Sequence, residues 1–201
     1  MRLILLRHGE TLWNAEQRLQ GHDNSDLSEH GVRQALNFAP YARALMPVAV
    51  VSSDLGRARQ TAALIGCATA PSDRRLREID TGVWTGRTRS ELLAEHPGEY
   101  LAWRAGAYTP IKGEAWSTFR ARVAAGLRDW LAWTAGDVLA VVHEGVVRAA
   151  CHEFLDLPPG NAVPVTPGTA TILSFASTEA TAAKLEGYNI GPFLPDYLAT
   201  S

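Results

Sequence analysis

The sequence predicts an α/β fold, a three-layer α/β/α sandwich built on a mainly parallel central sheet. Three observations carry this reading. Short apolar runs alternate with helical patterns along most of the 201 residues, the order that builds strand–helix–strand units. Hydrophobic residues make up 46% of the chain and charged residues 20%, which suits a globular protein and argues against both disorder and a membrane span. The last two strand candidates lie close enough together to pair as an antiparallel edge.

The elements follow in order. Residues 3–6 (Leu-Ile-Leu-Leu) form a continuous apolar run that turns abruptly polar at Arg7-His8-Gly9-Glu10. The run is too short for a signal-peptide core and reads as a strand buried on both faces. Residues 48–52 and 138–142 read the same way, and 171–175 with 182–186 supply the edge pair. Ser28 is expected to cap a helix over 29–45, and Asp54 a helix over 56–65. Trp116, Phe119, Val123, Leu127, Trp130 and Leu131 recur at three- and four-residue intervals, predicting a helix over 115–133. A last helix is expected over 145–155. Residues 76–114 show no clear strand but carry aromatics with Gly and Pro punctuation, and read as a partly helical, lid-like insertion over the active site. No internal repeat interrupts the pattern, so residues 1–201 read as one domain.

The formal net charge is −2, which gives no global pull toward nucleic acid or acidic lipid. Any anionic substrate must meet a local positive site. The two cysteines, Cys67 and Cys151, are far apart and lack metal-ligand spacing, as expected of reduced thiols in a cytoplasmic protein.

The chemistry gathers at strand exits, where open α/β sheets bind their ligands. The first strand ends in Arg7-His8-Gly9, with Gly9 expected to let the backbone approach a ligand. The third ends in Val142-His143-Glu144-Gly145, and the second leads through Ser53-Asp54-Leu55 to Arg57. Two histidines and at least two arginines thus converge on one edge of the sheet. The histidines lie on different strands, without the spacing or carboxylate cluster of a zinc or two-metal site, so no metal is expected. No nucleotide P-loop is present, and no cofactor is called for.

These residues resemble the histidine phosphatase superfamily, also called the phosphoglycerate mutase-like family. The matching pieces are Arg7-His8-Gly9-Glu10-Thr11 with Asn14, Ser53-Asp54-Leu55 with Arg57-Ala58 and Thr61-Ala62, and Leu76-Arg77-Glu78-Ile79. Gly82, Trp84, Gly86, Gly113-Glu114 and His143 with Gly145 complete the set, in family order over nearly the whole chain. The resemblance implies a phosphatase that acts through a phosphohistidine on His8. Arg7, Asn14, Arg57 and His143 would hold the phosphate, and Glu78 would protonate the leaving alcohol, with Asp80 and Glu114 as alternative proton donors. Glu10 would orient the site. Arg59, Arg87 and Arg89 read as surface charges, His30, His96 and His152 as incidental, and His22 as a loop residue within reach of substrate. Trp84 and Trp103 are candidates for the pocket wall.

The short chain is similar to the small-molecule phosphatases of the family, including broad-specificity acid phosphatases and α-ribazole phosphatases. A cofactor-dependent phosphoglycerate mutase is the first alternative, and a non-catalytic binding module of the same fold the second. Glu144 departs from the Gly or Asn that many relatives carry. Facing the pocket it would repel phosphate and raise the pKa of His143; facing away it would matter only through its backbone. The expected partner is a small phosphorylated metabolite, with specificity set by residues 76–114 and the segment around Tyr188 to Tyr197. The 171–186 edge leaves room for a homodimer.

Overall fold

The structure is a computed structural model that describes residues 1–191. Five strands form one sheet in the order β2-β3-β1-β4-β5. They are β1 (Arg2–Arg7), β2 (Ala49–Ser52), β3 (Val138–Val142), β4 (Ala170–Ser174) and β5 (Lys184–Ile190). β1 and β2 each pair in parallel with β3, while β4 runs antiparallel to both β1 and β5. Four strands therefore point one way, and the reversed strand β4 lies just inside the edge.

The helices are α1 (Leu12–Ala15), α2 (Glu29–Leu45), α3 (Gly56–Leu64), α4 (Arg89–Glu95), α5 (Pro97–Arg104), α6 (Trp116–Thr134) and α7 (Glu144–Leu155). They cover both faces of the sheet. Leu3 and Leu5 belong to one apolar cluster with Phe119, Val123 and Leu127 of α6. Ile4 and Leu6 belong to the opposite cluster, with Phe38 of α2 and Ala58 of α3. A strand buried on both faces must be apolar at every position, and residues 3–6 are all fully buried. Truncating any one of these large side chains to alanine costs about 2–5 kcal/mol.

Sequence and structure differ at three informative places. Ser28 caps α2 as expected, its Oγ accepting from Gly31 N. Asp54, however, does not cap α3. Its carboxylate accepts two hydrogen bonds from Arg77 at 2.7 and 2.6 Å, and the Arg57 amide is capped by Asn24 Oδ1 from a separate loop. The last strand begins at Lys184 and runs through Gly187, where register shifts mark a bulged ladder with β4; glycine in a strand often marks such an irregularity. The four-residue helix α1 was not foreseen. Thr11 and Asn14 close it with a reciprocal capping box.

The segment from 76 to 114 contains α4 and α5. A Thr88–Glu91 capping box starts α4, and Pro97 occupies the first turn of α5, where its missing N–H goes unused. Trp84, Tyr100, Trp103 and Tyr108 pack ring against ring within it. Trp84 is thus a core residue of this segment, and Trp103 alone of the two candidate tryptophans reaches the pocket described below. Among the described residues, no helix is long and apolar enough to cross a membrane. Of the segment expected around Tyr188 to Tyr197, residues 192–197 lie outside the described residues.

Candidate active site

Strand register brings the two histidines together. Arg7 of β1 is paired with Val142 of β3, so the next residues, His8 and His143, emerge side by side with ring centroids 5.2 Å apart. Ser52 of β2 is paired with Val141, which sets Ser53 beside His143, and its Oγ lies 2.8 Å from His143 Nε2. Gly9 serves a purpose other than ligand approach. A Cβ there would sit 2.4 Å from the carbonyl oxygen of Gly31, and a Cβ on Gly31 would meet Glu10 O at 1.9 Å. The two glycines let the first turn of α2 abut the exit of β1. Glu10 completes that joint by accepting from Ser28 Oγ at 2.6 Å.

His8 faces a recess that Arg7, Asn14, Arg57 and Glu78 also line. Its Nδ1 lies 2.7 Å from Gly9 O. A carbonyl can only accept, so Nδ1 carries the hydrogen and Nε2 keeps its lone pair. Arg57 Nε donates to that lone pair at 3.2 Å, while its other nitrogens donate to Asp23 O and Gly21 O. Burial, reinforced by Arg57 and then Arg7, drives the His8 pKa well below 6.5. His143 is lowered in the same way by burial, Arg57 and His8. Both rings are therefore neutral at physiological pH. Burial also pulls Arg57 down to about 10, with Glu78 opposing it, which leaves the guanidinium charged.

These shifts predict how stability responds to pH. Between the lowered folded values and 6.5, the unfolded chain binds protons that His8 and His143 in the folded chain do not. Their contribution is fully present above pH 6.5 and is lost as the pH falls toward the folded pKa values, by up to about 1.4 kcal/mol per pH unit for each ring. Denaturant midpoints measured from pH 7.5 to 5 are expected to fall in the wild type and to fall less steeply in a His8→Asn/His143→Asn double variant. Equal slopes would contradict the neutral-histidine assignment.

Glu78 is 7% exposed and is fixed by two backbone donors, Ile79 N to Oε1 at 2.8 Å and Gly145 N to Oε2 at 3.0 Å. A Cβ at position 145 would lie 2.1 Å from Glu78 Oε1, so only glycine admits the carboxylate here. Arg122 of α6 donates to the carbonyls of Arg75, Arg77 and Glu78, and His22 Nε2 lies 2.9 Å from Glu78 O. His22 thus steadies the Glu78 backbone. The other candidate acids are occupied elsewhere, Glu114 by Arg122 and Asp80 Oδ1 by the Gly82 amide.

Residues 3–189 match the family model of the histidine phosphatase superfamily, branch 1. The chain belongs to the histidine phosphatase superfamily. It is 38% identical over 177 residues to a glucosyl-3-phosphoglycerate phosphatase of Mycobacterium tuberculosis, covering 80% of this chain and 78% of that protein. It is 38% identical over 156 residues to a probable phosphoglycerate mutase GpmB of Klebsiella pneumoniae, covering 73% and 70%. The solved mycobacterial glucosyl-3-phosphoglycerate phosphatase in complex with VO3 superposes with a TM-score of 0.83 at 33% identity, covering 94% of this chain and 98% of that one.

In this histidine phosphatase, Arg7, His8, Asn14, Arg57 and Glu78 share one recess. His143 is fully buried against the His8 ring, and its Nδ1 has no partner among the described residues. Asn14 Oδ1 is taken up by the Thr11 amide and hydroxyl. Arg59 is exposed, and Arg87 pairs with Glu95 on the surface. Glu144 follows neither course set out for it. It is 1% exposed and accepts from Arg7 at 3.1 Å and Arg104 at 3.2 Å. The His143 pKa lies below the ordinary value, lowered first by burial and then by Arg57, His8 and Arg7. Two contributors escaped the sequence reading, Gln20 and Arg104, while Trp103 lines the recess as expected. Gln20 lines the recess and donates to Thr11 Oγ1 at 2.8 Å. Its position close after the Arg7-His8-Gly9 exit was the available signal; Arg104 offered none beyond its place in the insertion.

Proposed function

We propose that the enzyme hydrolyses small phosphomonoesters through a phosphohistidine on Nε2 of His8. The observation that carries this is a buried, neutral histidine whose Nδ1 is tied to Gly9 O and whose Nε2 lone pair shares a recess with Arg7, Arg57 and Glu78. Nε2 attacks phosphorus in line, a P–N bond forms, and the P–O ester bond breaks. Glu78 gives its proton to the departing alkoxide. Water then attacks the phosphohistidine, Glu78 takes the water proton, and the P–N electron pair returns to Nε2 as phosphate leaves. Arg7 and Arg57 carry the charge of the transferring group, as positioned cations do in phosphoryl transfer. For Arg57 this means exchanging its bond to His8 for one to a phosphate oxygen. His143 contributes its Nδ1, which has no partner among the described residues, and Asn14 its amide nitrogen, on the same reading. No step calls for a metal.

The working unit is one domain over residues 1–201, with 76–114 as a lid-like insertion that supplies Glu78 and Trp103. The two free cysteines favour a reducing cytoplasm. The exposed Leu185 and Ile190 of β5 mark the edge at which two copies would meet.

Purified protein treated with chelator is expected to turn over p-nitrophenyl phosphate and a panel of small phosphomonoesters. Release of phosphate from none of them, combined with interconversion of 3-phosphoglycerate primed by 2,3-bisphosphoglycerate, would replace hydrolysis with the mutase reading suggested by the GpmB relative.

A further inference from the structure

Two buried histidines stand side by side at the exits of β1 and β3, and their fixed partners set them different tasks. For His8 the partner is a carbonyl, Gly9 O, so Nδ1 holds the hydrogen and Nε2 the lone pair. For His143 the partner is a hydroxyl, with Nε2 lying 2.8 Å from Ser53 Oγ. A hydroxyl donates or accepts, so the tautomer of His143 follows from where the Ser53 hydrogen goes. Burial, then Arg57, His8 and Arg7, keep the His143 ring neutral, which leaves it one N–H to place.

Ser53 is fully buried just beyond the end of β2. Its amide donates to Val141 O and its carbonyl accepts from Ser52 Oγ. Its Oγ already accepts from the Leu55 amide at 3.3 Å. Among the described residues, His143 Nε2 is then the one acceptor within reach of the hydroxyl hydrogen. If Ser53 donates, His143 carries its hydrogen on Nδ1, and that single buried donor has no partner among the described residues. The reverse assignment strands two groups, the Ser53 hydrogen and a bare Nδ1 lone pair. Every unpaired buried polar group carries a desolvation cost, which favours the arrangement with one.

The remaining orphan calls for a partner that the resting protein does not supply. His143 packs edge to face against His8, with ring centroids 5.2 Å apart. A phosphoryl group joined to His8 carries oxygens that can only accept. A donor first satisfied by the reacting group stabilises that group rather than the empty site.

We propose that Ser53 is a positioning residue for phosphoryl transfer: its hydroxyl fixes His143 in the Nδ1–H tautomer, and that N–H donates a hydrogen bond to the phosphoryl group as it moves onto and off His8. The proposal rests on the phosphatase reading of the site.

Long-range proton–nitrogen NMR spectra of protein labelled with 15N-histidine read both rings without any turnover. His8 and His143 are each expected as neutral Nδ1–H tautomers, their signals assigned through His8→Asn and His143→Asn. In Ser53→Ala the His8 pattern should persist while His143 acquires the Nε2–H form. Ser53→Thr keeps the hydroxyl and should hold His143 as Nδ1–H. On p-nitrophenyl phosphate, Ser53→Ala should lower kcat roughly ten- to hundredfold with KM little changed. That loss falls short of the roughly 10²–10³-fold cost of deleting such a donor outright, because the tautomer is released rather than forbidden. Ser53→Thr should recover most of the loss. An Nε2–H ring at His143 in the wild type would overturn the proposal. So would an Nδ1–H ring unchanged in Ser53→Ala, or a shifted tautomer with kcat undiminished. If the Ser53 variants do not fold, the wild-type spectrum decides alone. Should the wild type hydrolyse no phosphomonoester, the phosphatase reading fails separately, and the spectra of wild type and Ser53→Ala still decide whether Ser53 fixes the tautomer.

Discussion

His8→Ala is expected to lower kcat for every phosphomonoester by on the order of 10⁵-fold and to abolish a phosphoenzyme intermediate. Rapid quench of the wild type with labelled substrate should trap a phosphoryl group that is stable in base and labile in acid, the signature of phosphohistidine. The variant should trap none. No neighbour can replace the nucleophile, because His143 is fully buried with its Nε2 engaged by Ser53. The substitution also frees Arg57 Nε, which in the native site donates to His8. Inorganic phosphate should accordingly bind the variant at least as tightly as the wild type, which a merely unfolded protein would not do. Turnover retained to within tenfold would mean that water attacks phosphorus directly, and the covalent route would be lost.

The parts of the site legible in sequence are those fixed by strand periodicity. A continuous apolar run buried on both faces, followed at once by Arg7-His8, places that pair at a strand end whatever else the chain does. The second run, ending at His143, does the same. Their adjacency then requires only that β1 and β3 pair in register, as they do. The convergence of Arg57 depended on a helix start that sequence located correctly but capped with the wrong residue. Asp54 has the side chain of a cap, yet the geometry of Arg77 claims it, and Asn24 arrives from a loop that no local pattern connects to α3.

Long-range packing hid the rest. Gly9 read as a concession to a ligand, and Gly145 only as a matching piece of the family pattern. Gly9 makes room for Gly31, and Gly145 makes room for Glu78. Neither partner is predictable without the insertion and α2 in place. Arg104 sits on a short helix whose own periodicity says nothing about which sheet edge it covers. Glu144 was legible as an oddity; its meaning came only with Arg7 and Arg104 on either side of it.

Glu78→Gln separates proton donation from binding more cleanly than any other substitution here. Glutamine keeps the side-chain length and an oxygen that can accept from Ile79 N or Gly145 N, the two bonds that fix the native carboxylate. It cannot deliver a proton and take one back. For an alkyl phosphate, whose alkoxide is a poor leaving group, kcat should fall by roughly 10²–10⁴-fold. For p-nitrophenyl phosphate the phenolate departs unaided, so the first step should be nearly unaffected and only attack of water on the phosphohistidine should slow. Phosphoenzyme should then accumulate, with a burst of nitrophenol ahead of steady-state turnover. Equal losses on both esters with no burst would assign Glu78 to holding the Gly145 backbone and would send the search for the acid elsewhere in the recess. A burst with selective loss on the alkyl ester fits only a residue that protonates the leaving oxygen and then serves the water, since a change in binding alone would act on both esters alike.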